Sequence, residues 1–154
     1  MEYNTRKLLP SEAMIKLASQ YIGMQEIIGE QDNQTIVQMF QDIGYGWIKD
    51  DETSWCSCFI NWLAFKLNCE RSGKLDARSW ISIGKTELNP RPGDIVVFWR
   101  ESLTSWKGHV ALFLGYSSTG DIFCLGGNQS NEVNITIYPK ERVLSFRRLV
   151  YKNT

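Results

Sequence analysis

Three stretches in the first half of the chain repeat hydrophobic residues at helical spacing. The first covers residues 11–22 and ends at Gly23, and the second covers residues 34–43. The third, residues 56–67, is the most regular, and Ser54 precedes it as a capping residue. Its apolar stripe consists of Cys56, Phe59, Ile60, Leu63, Ala64 and Leu67. These spacings predict three helices.

The second half of the chain changes to short runs rich in β-branched and aromatic residues. The predicted strands are Ile95–Trp99, His109–Tyr116, Ile122–Leu125, Val133–Tyr138 and Val143–Val150. We expect Gly126–Gly127 to end the third strand. Helices followed by an antiparallel sheet of about five strands predict an α+β fold, with the helices packed on one sheet face. The length suits one domain over residues 1–154.

Composition and charge narrow the class of protein. Hydrophobic residues make up 43% of the chain, which excludes a disordered chain. Basic and acidic residues number 17 each, so we expect no nucleic-acid partner. We expect no membrane span, because no run of about 18 apolar residues is present. The N-terminus lacks the apolar core of a signal peptide, which predicts synthesis in the cytoplasm without one.

The four cysteines are irregularly spaced and form no CxxC pair, which favours free thiols over disulfides or a metal site. Cys56 stands at the start of the third predicted helix, where unpaired N–H groups and the helix dipole lower a thiol pKa. Cys58 is a rival nucleophile, but it lies off the apolar stripe that Cys56 begins. A buried, unreactive cysteine is the alternative interpretation of Cys56.

The single histidine, His109, follows a glycine at the start of an apolar strand. Cysteine hydrolases need a nucleophile, an imidazole that acts as acid and base, and a residue that orients the ring. Cys56, His109 and the amide residue Asn128 occur in that order along the chain. We therefore expect these three residues to be catalytic, and a purely structural histidine is the alternative.

Four segments resemble CHAP domains (cysteine, histidine-dependent amidohydrolases/peptidases), which are relatives of the NlpC-type peptidoglycan hydrolases. Trp55–Trp62 is similar to the nucleophile helix, Arg91–Phe98 to the strand-entry motif, and Gly108–Leu112 to the histidine strand. Leu125–Asn131 resembles the third-residue segment of a CHAP-like branch found in phage lysins and secreted bacterial toxins. Many CHAP domains carry a glutamate shortly before the asparagine. Gly126–Gly127 stands there in this chain, which leaves a Cys–His–Asn set.

The resemblance implies a papain-like NlpC/CHAP fold and a hydrolase that cuts an amide bond in the peptide part of bacterial peptidoglycan. In such an enzyme Cys56 is the nucleophile, His109 the acid and base, and Asn128 the residue that orients the imidazole. The backbone N–H of Cys56 or Ser57 is the expected oxyanion donor, and Gln129 is a weaker polar candidate.

Tryptophans are expected to line the substrate groove. The candidates are Trp55, Trp80 and Trp106, with at least one of them in the core. We expect no metal and no cofactor, because the acidic loop Asp50–Glu52 lacks the spaced ligands of a calcium loop.

The resemblance also implies an antibacterial effector or a lysin that acts on the cell wall, in the periplasm, after injection or lysis. An injected toxin would need a cognate immunity or inhibitor protein as a partner, in addition to its peptidoglycan substrate. Two other functions remain open. One is a thiol acyltransferase or deamidase acting on a protein substrate, and the other is a non-catalytic wall-binding domain.

Overall fold

A computed structural model describes residues 7–27, 33–48 and 54–152 of the chain. The helices are α1 (Pro10–Ser19), α2 (Gln34–Asp42), α3 (Cys56–Lys66) and two 3-10 helices, Ala77–Ser82 and Lys140–Arg142. The strands are β1 (Lys85–Thr86), β2 (Ile95–Trp99), β3 (Gly108–Tyr116), β4 (Ile122–Gln129), β5 (Glu132–Tyr138) and β6 (Val143–Arg148). In the described part of the chain, no helix is long and apolar enough to cross a membrane.

The six strands form one sheet in the order β1-β6-β2-β3-β4-β5, and all neighbouring pairs are antiparallel. The helices precede this sheet in the chain, and α3 packs against β3 and β4. This arrangement confirms the predicted α+β class. The sheet has one strand more than expected, the short edge strand β1. The sequence could not predict it, because two residues have no periodicity and the strand is defined only by its pairing with β6.

Helix α3 is buried on nearly all sides rather than along a single stripe. Every residue from Cys56 to Ala64 is buried, because the helix lies between the sheet on one side and α1 and α2 on the other. Cys58 is therefore buried as deeply as Cys56, although the stripe pattern placed it off the core. The residue at the N-cap is Trp55 rather than Ser54, and no side chain caps the helix.

The sheet separates two hydrophobic clusters because its side chains alternate between two faces. The larger cluster joins the inner surfaces of the three α-helices to one face, which includes Val97, Val110 and Leu112. The smaller cluster lies on the other face and consists of Val96, Phe98, Ala111, Phe113, Ile122 and Cys124. The second, smaller core means that residues of β2 and β3 are buried on both sides.

Strand β4 continues through the two glycines that were expected to end it. A Cβ on Gly126 would lie 2.8 Å from Gln129 Oε1 and 2.9 Å from the Ala111 Cβ. A Cβ on Gly127 would lie 2.7 Å from the ring of Trp55. The glycines are therefore needed for close packing on both faces of the strand, and they do not break it. The pairing of β4 with β5 becomes irregular between Gly126 and Gln129.

Candidate active site

Cys56 is the first residue of α3, and only 3% of it is exposed. Burial raises the pKa of the Cys56 thiol, because a thiolate is poorly solvated in the interior. The backbone N–H groups of Val110 and Ser57, the Arg100 guanidinium and the Ser54 hydroxyl oppose this effect and lower the Cys56 pKa. Groups from the start of α3, from β3 and from the residue after β2 thus favour negative charge on the sulfur.

Because the backbone of Val110 acts on the pKa of the Cys56 thiol, the sulfur lies near the amino end of β3. Registered pairs between β3 and β4 run from Tyr116↔Ile122 to Leu112↔Leu125. Val110 lies beyond the last of these pairs. It also directly follows His109 in the chain, so the backbone that acts on the thiol is next to the histidine.

His109 is the second residue of β3 and is completely buried. Its ring stacks on Tyr138 with a centroid distance of 4.8 Å and an interplanar angle of 15°. Its Nε2 lies 3.0 Å from Gln129 Oε1. Burial lowers the pKa of His109 to about 4, and the hydrogen bond to Gln129 only partly offsets the effect of burial. The imidazole is therefore neutral at neutral pH.

The contacts of Gln129 determine which ring nitrogen carries the proton. Gln129 Nε2 donates to Asn134 O at 2.7 Å and to Asn134 Oδ1 at 2.9 Å. A backbone carbonyl can only accept, so the amide nitrogen faces Asn134 and Oε1 faces the ring. The Cys124 thiol donates to the same oxygen at 3.5 Å. His109 Nε2 must then carry the hydrogen, and Nδ1 is left as the basic nitrogen.

His109 Nδ1 has no hydrogen-bond partner. Within residues 7–27, 33–48 and 54–152, no other buried side-chain nitrogen or oxygen lacks a hydrogen-bond partner. Buried polar atoms are almost always satisfied, and an exception calls for an explanation such as a catalytic role. A neutral imidazole with a free basic nitrogen is the form that accepts a proton from a thiol.

The expected contact between Asn128 and the His109 ring is wrong. Asn128 adopts a left-handed conformation with φ 57°, and its Nδ2 donates to Ser54 Oγ at 3.3 Å. Successive residues of a strand point in opposite directions, and the residue on the side of the imidazole is Gln129. The side chain that contacts the imidazole is therefore Gln129, which was the weaker candidate on sequence grounds.

The predicted groove residues are divided between the core and the surface. Trp55 is 1% exposed, packs its ring at Gly127 and directs its indole nitrogen to Glu26 Oε2 at 3.4 Å, so it cannot line a groove. Trp80 is also buried, and its indole nitrogen donates to Ser57 Oγ at 3.1 Å. Ser57 itself is buried, and of its polar groups only the backbone N–H acts on the sulfur.

A cavity of about 240 Å³ opens at Cys56. Trp106, which is 71% exposed, lines it together with Arg100 and Gly108. The sequence interpretation missed Arg100, although one signal was available. Strands β2 and β3 are antiparallel neighbours, and Phe98 pairs with His109. This pairing brings Arg100, the residue after β2, close to the histidine. His109 is not among the residues that line the cavity at Cys56, and a larger cavity of about 410 Å³ is lined by neither His109 nor Cys56.

All four cysteines are free and buried, which confirms the prediction of free thiols. The acidic loop Asp50–Glu52 lies outside the described residues. In the part of the chain that the structure describes, no group of three or more His, Cys, Asp or Glu side chains is arranged to hold a metal ion.

Comparisons with known proteins give the family and the fold of the chain. A family model described as CHAP domain matches residues 48–128. The chain is also similar to a crystal structure from Staphylococcus aureus described as similar to a lipoprotein of the NLP/P60 family, with a TM-score of 0.52 and 14% sequence identity. That similarity covers 99% of this chain and 46% of the other, so this chain spans less than half of its structural neighbour. No curated protein matches the chain in sequence.

Proposed function

The chain belongs to the CHAP domain family, and from that premise we propose that it is a cysteine amidase or endopeptidase acting on the peptide part of bacterial peptidoglycan. The family and the NLP/P60-like fold are those of peptidoglycan-related hydrolases. The observation that carries the proposal is the unpaired, basic Nδ1 of a buried histidine at the end of the sheet where the Cys56 thiol lies.

The reaction begins with a neutral thiol and a neutral imidazole, because burial raises the Cys56 pKa and lowers the His109 pKa. His109 Nδ1 takes the thiol proton as Cys56 Sγ attacks the carbonyl carbon of the amide. Proton transfer at this step requires the two atoms to come within about 3.2 Å. The imidazolium retains its Nε2–H bond to Gln129, which keeps the ring in one orientation throughout.

The attack places negative charge on the former carbonyl oxygen. The backbone N–H groups of Val110 and Ser57, which lower the pKa of the Cys56 thiol, are the donors that we assign to that charge. His109 then gives its proton to the leaving amine, and the C–N bond breaks to leave a thioester on Cys56. His109 next takes a proton from water as its oxygen attacks the thioester carbonyl. The C–S bond then breaks, and the imidazolium returns the proton to the Cys56 sulfur. The products are a carboxylic acid and the regenerated thiol.

Digestion of purified peptidoglycan, followed by mass analysis of the fragments, tests the proposal. We expect wild type to release fragments that have gained one water at an amide bond, and Cys56→Ala to release none. Intact peptidoglycan with the wild-type protein would contradict the proposal. Transfer of the acyl group to an added amine, or loss of ammonia from a protein substrate, would instead favour the acyltransferase or deamidase alternative.

We further propose that the enzyme acts on the cell wall in the periplasm, as a lysin or an injected antibacterial effector, because its substrate lies outside the cytoplasm. A producer of an injected effector needs an immunity protein, and a protein that covers the cavity at Cys56 would serve this purpose. Expression of the chain in a bacterium with and without an added signal peptide tests the site of action. Lysis that requires export and Cys56 is expected, and equal toxicity without export would contradict the proposal.

A further inference from the structure

Arg100 is a half-buried cation at the wall of the cavity that contains Cys56. Ion pairs in the described part of the chain join Lys107 to Glu101 and Arg148 to Glu87 and Asp94. Arg100 belongs to none of them. The second cation of the cavity wall, Lys107, is therefore neutralised by a neighbour, whereas Arg100 has no described carboxylate opposite it.

The backbone holds Arg100 at this position. It directly follows β2, and its N–H donates to Lys107 O at 3.2 Å, which closes the end of the β2–β3 hairpin. The last registered pair of that hairpin is Trp99↔Gly108. Burial raises the pKa of Tyr138, the residue on which His109 stacks, and the nearby Arg100 guanidinium partly opposes this effect. A guanidinium has five N–H donors, so donors remain for a ligand in the cavity.

The other charges of the cavity do not cancel that of Arg100. Asp76 also lines the cavity, but it is exposed, so water and salt screen its charge more strongly than that of a half-buried group. The exposed Trp106 adds an apolar wall. The cavity thus combines a nucleophile, an apolar surface and an unpaired planar cation, and such a cation binds carboxylates through paired hydrogen bonds.

On the basis of the proposed function, we propose that Arg100 binds a free carboxylate of the substrate beside the scissile amide. The enzyme then selects peptides that carry this carboxylate over peptides in which it is amidated. Arg100 is a specificity-determining residue in this proposal, Cys56 and His109 perform the reaction, and Gln129 positions the imidazole.

Alkylation of Cys56 tests the anion subsite without any peptidoglycan. Iodoacetate carries a carboxylate and iodoacetamide does not, and both transfer their carbon to the thiolate with loss of iodide. Because both reagents react with the same thiolate, a change in the reactivity of Cys56 alters both rates equally and cancels in their ratio. We expect Arg100→Met to lower the iodoacetate-to-iodoacetamide ratio at Cys56 about tenfold or more, since one lost charge-assisted contact is worth at least about that factor.

Arg91→Met is the matched control, since it removes the same charge from an exposed arginine at the separate, larger cavity. Its ratio should equal that of wild type, and peptide mapping by mass spectrometry assigns the modification to Cys56. An unchanged ratio in Arg100→Met, with both rates reduced together, would overturn the proposal, because Arg100 would then act on the thiol alone.

Cleavage of peptidoglycan fragments in carboxylate and amidated forms tests the subsite and the proposed function separately. Wild type should prefer the carboxylate form in kcat/KM, and Arg100→Met should cleave both forms at similar rates. Cleavage of both forms by wild type without preference would overturn the subsite and leave the proposed function intact. A normal alkylation ratio with no cleavage of either form would uphold the subsite and contradict the peptidoglycan substrate.

Discussion

Two buried amide side chains support the two halves of the site, and they do so differently. Asn61, one turn along α3 from Ser57, donates to Ser57 O and Lys74 O, both at 3.0 Å, and accepts from the Gly73 N–H at 2.8 Å. Gln129 is equally well bonded, but the ring it holds has a nitrogen with no partner. The network behind the cysteine is complete, and the network at the histidine lacks one bond.

The difference separates structural from reactive polar groups. Besides its bonds to Ser57 within the helix, Asn61 bonds Ser72 Oγ, Lys74 O and the Gly73 N–H, so its role is to fix the nucleophile helix against the loop at residues 72–74. The Gln129 network fixes a tautomer and leaves His109 Nδ1 free to accept a proton. Substitutions in the first network should therefore change stability, and substitutions in the second should change turnover.

The largest expected effect belongs to the thiol. Cys56→Ala should lower turnover of peptidoglycan fragments by roughly 1000-fold or more, because no other group in the proposed site can form the thioester. Cys58→Ala should retain turnover within about threefold per folded molecule. Fragment release measured by mass spectrometry distinguishes the two variants. A dead Cys58→Ala with a live Cys56→Ala would reverse the assignment of the nucleophile.

The next effect separates Gln129 from its neighbour. Gln129→Ala should lower kcat roughly 100-fold, because His109 loses the acceptor that fixes its tautomer. Asn128→Gly is the control, since glycine tolerates the φ of 57° and only the bond to Ser54 is lost. Its kcat should stay within a few-fold of wild type. Greater sensitivity at Asn128 would restore the Cys–His–Asn set that the family resemblance implies.

Acid should destabilise the protein through its single histidine. The folded-state pKa of His109 is lowered to about 4, against an ordinary value of 6.5, so between these pH values the unfolded chain binds a proton that the folded chain does not. Stability should fall by about 3 kcal/mol as the pH decreases from 6.5 to 4. Denaturant unfolding at a series of pH values measures this. His109→Gln should lose that part of the pH dependence, and an identical slope would place the titration elsewhere.

The smallest expected effect lies behind the cysteine. Asn61→Ala leaves the Gly73 N–H without its side-chain acceptor and removes one of the donors to the Lys74 carbonyl, and it should lower the free energy of unfolding by about 1–3 kcal/mol. The kcat per folded molecule should remain near that of wild type. Urea unfolding and active-site titration with iodoacetamide give the two quantities. A large loss of kcat with normal stability would show that the complete network also takes part in the reaction.

The sequence was informative where a physical pattern repeats. The 3.6-residue spacing predicted α3 and the place of Cys56 at its start, and the apolar runs predicted β2 and β3 with His109 near the first residue of β3. The burial of Cys58 was not predictable from a stripe, because it depends on α1 and α2 covering the other sides of α3.

The residue that contacts the imidazole could not be predicted from spacing alone. A strand alternates its side chains strictly, so one irregular residue exchanges the two faces for everything that follows. Such an irregularity lies between Gly126 and Gln129, and it decides between Asn128 and Gln129. Arg100 was missed for a related reason, since its approach to the site depends on the register of β2 on β3.

The bond between Gln129 and Asn134 has a consequence for how this sequence can evolve. The two oxygens of Asn134 accept from Gln129 Nε2 and so keep the Gln129 amide from turning over. A turned amide would present N–H groups to the ring, and the imidazole would have to move its hydrogen from one nitrogen to the other. A substitution at position 134 would thus affect the imidazole indirectly, because it would allow the Gln129 amide to rotate. We therefore expect positions 129 and 134 to change only together during evolution.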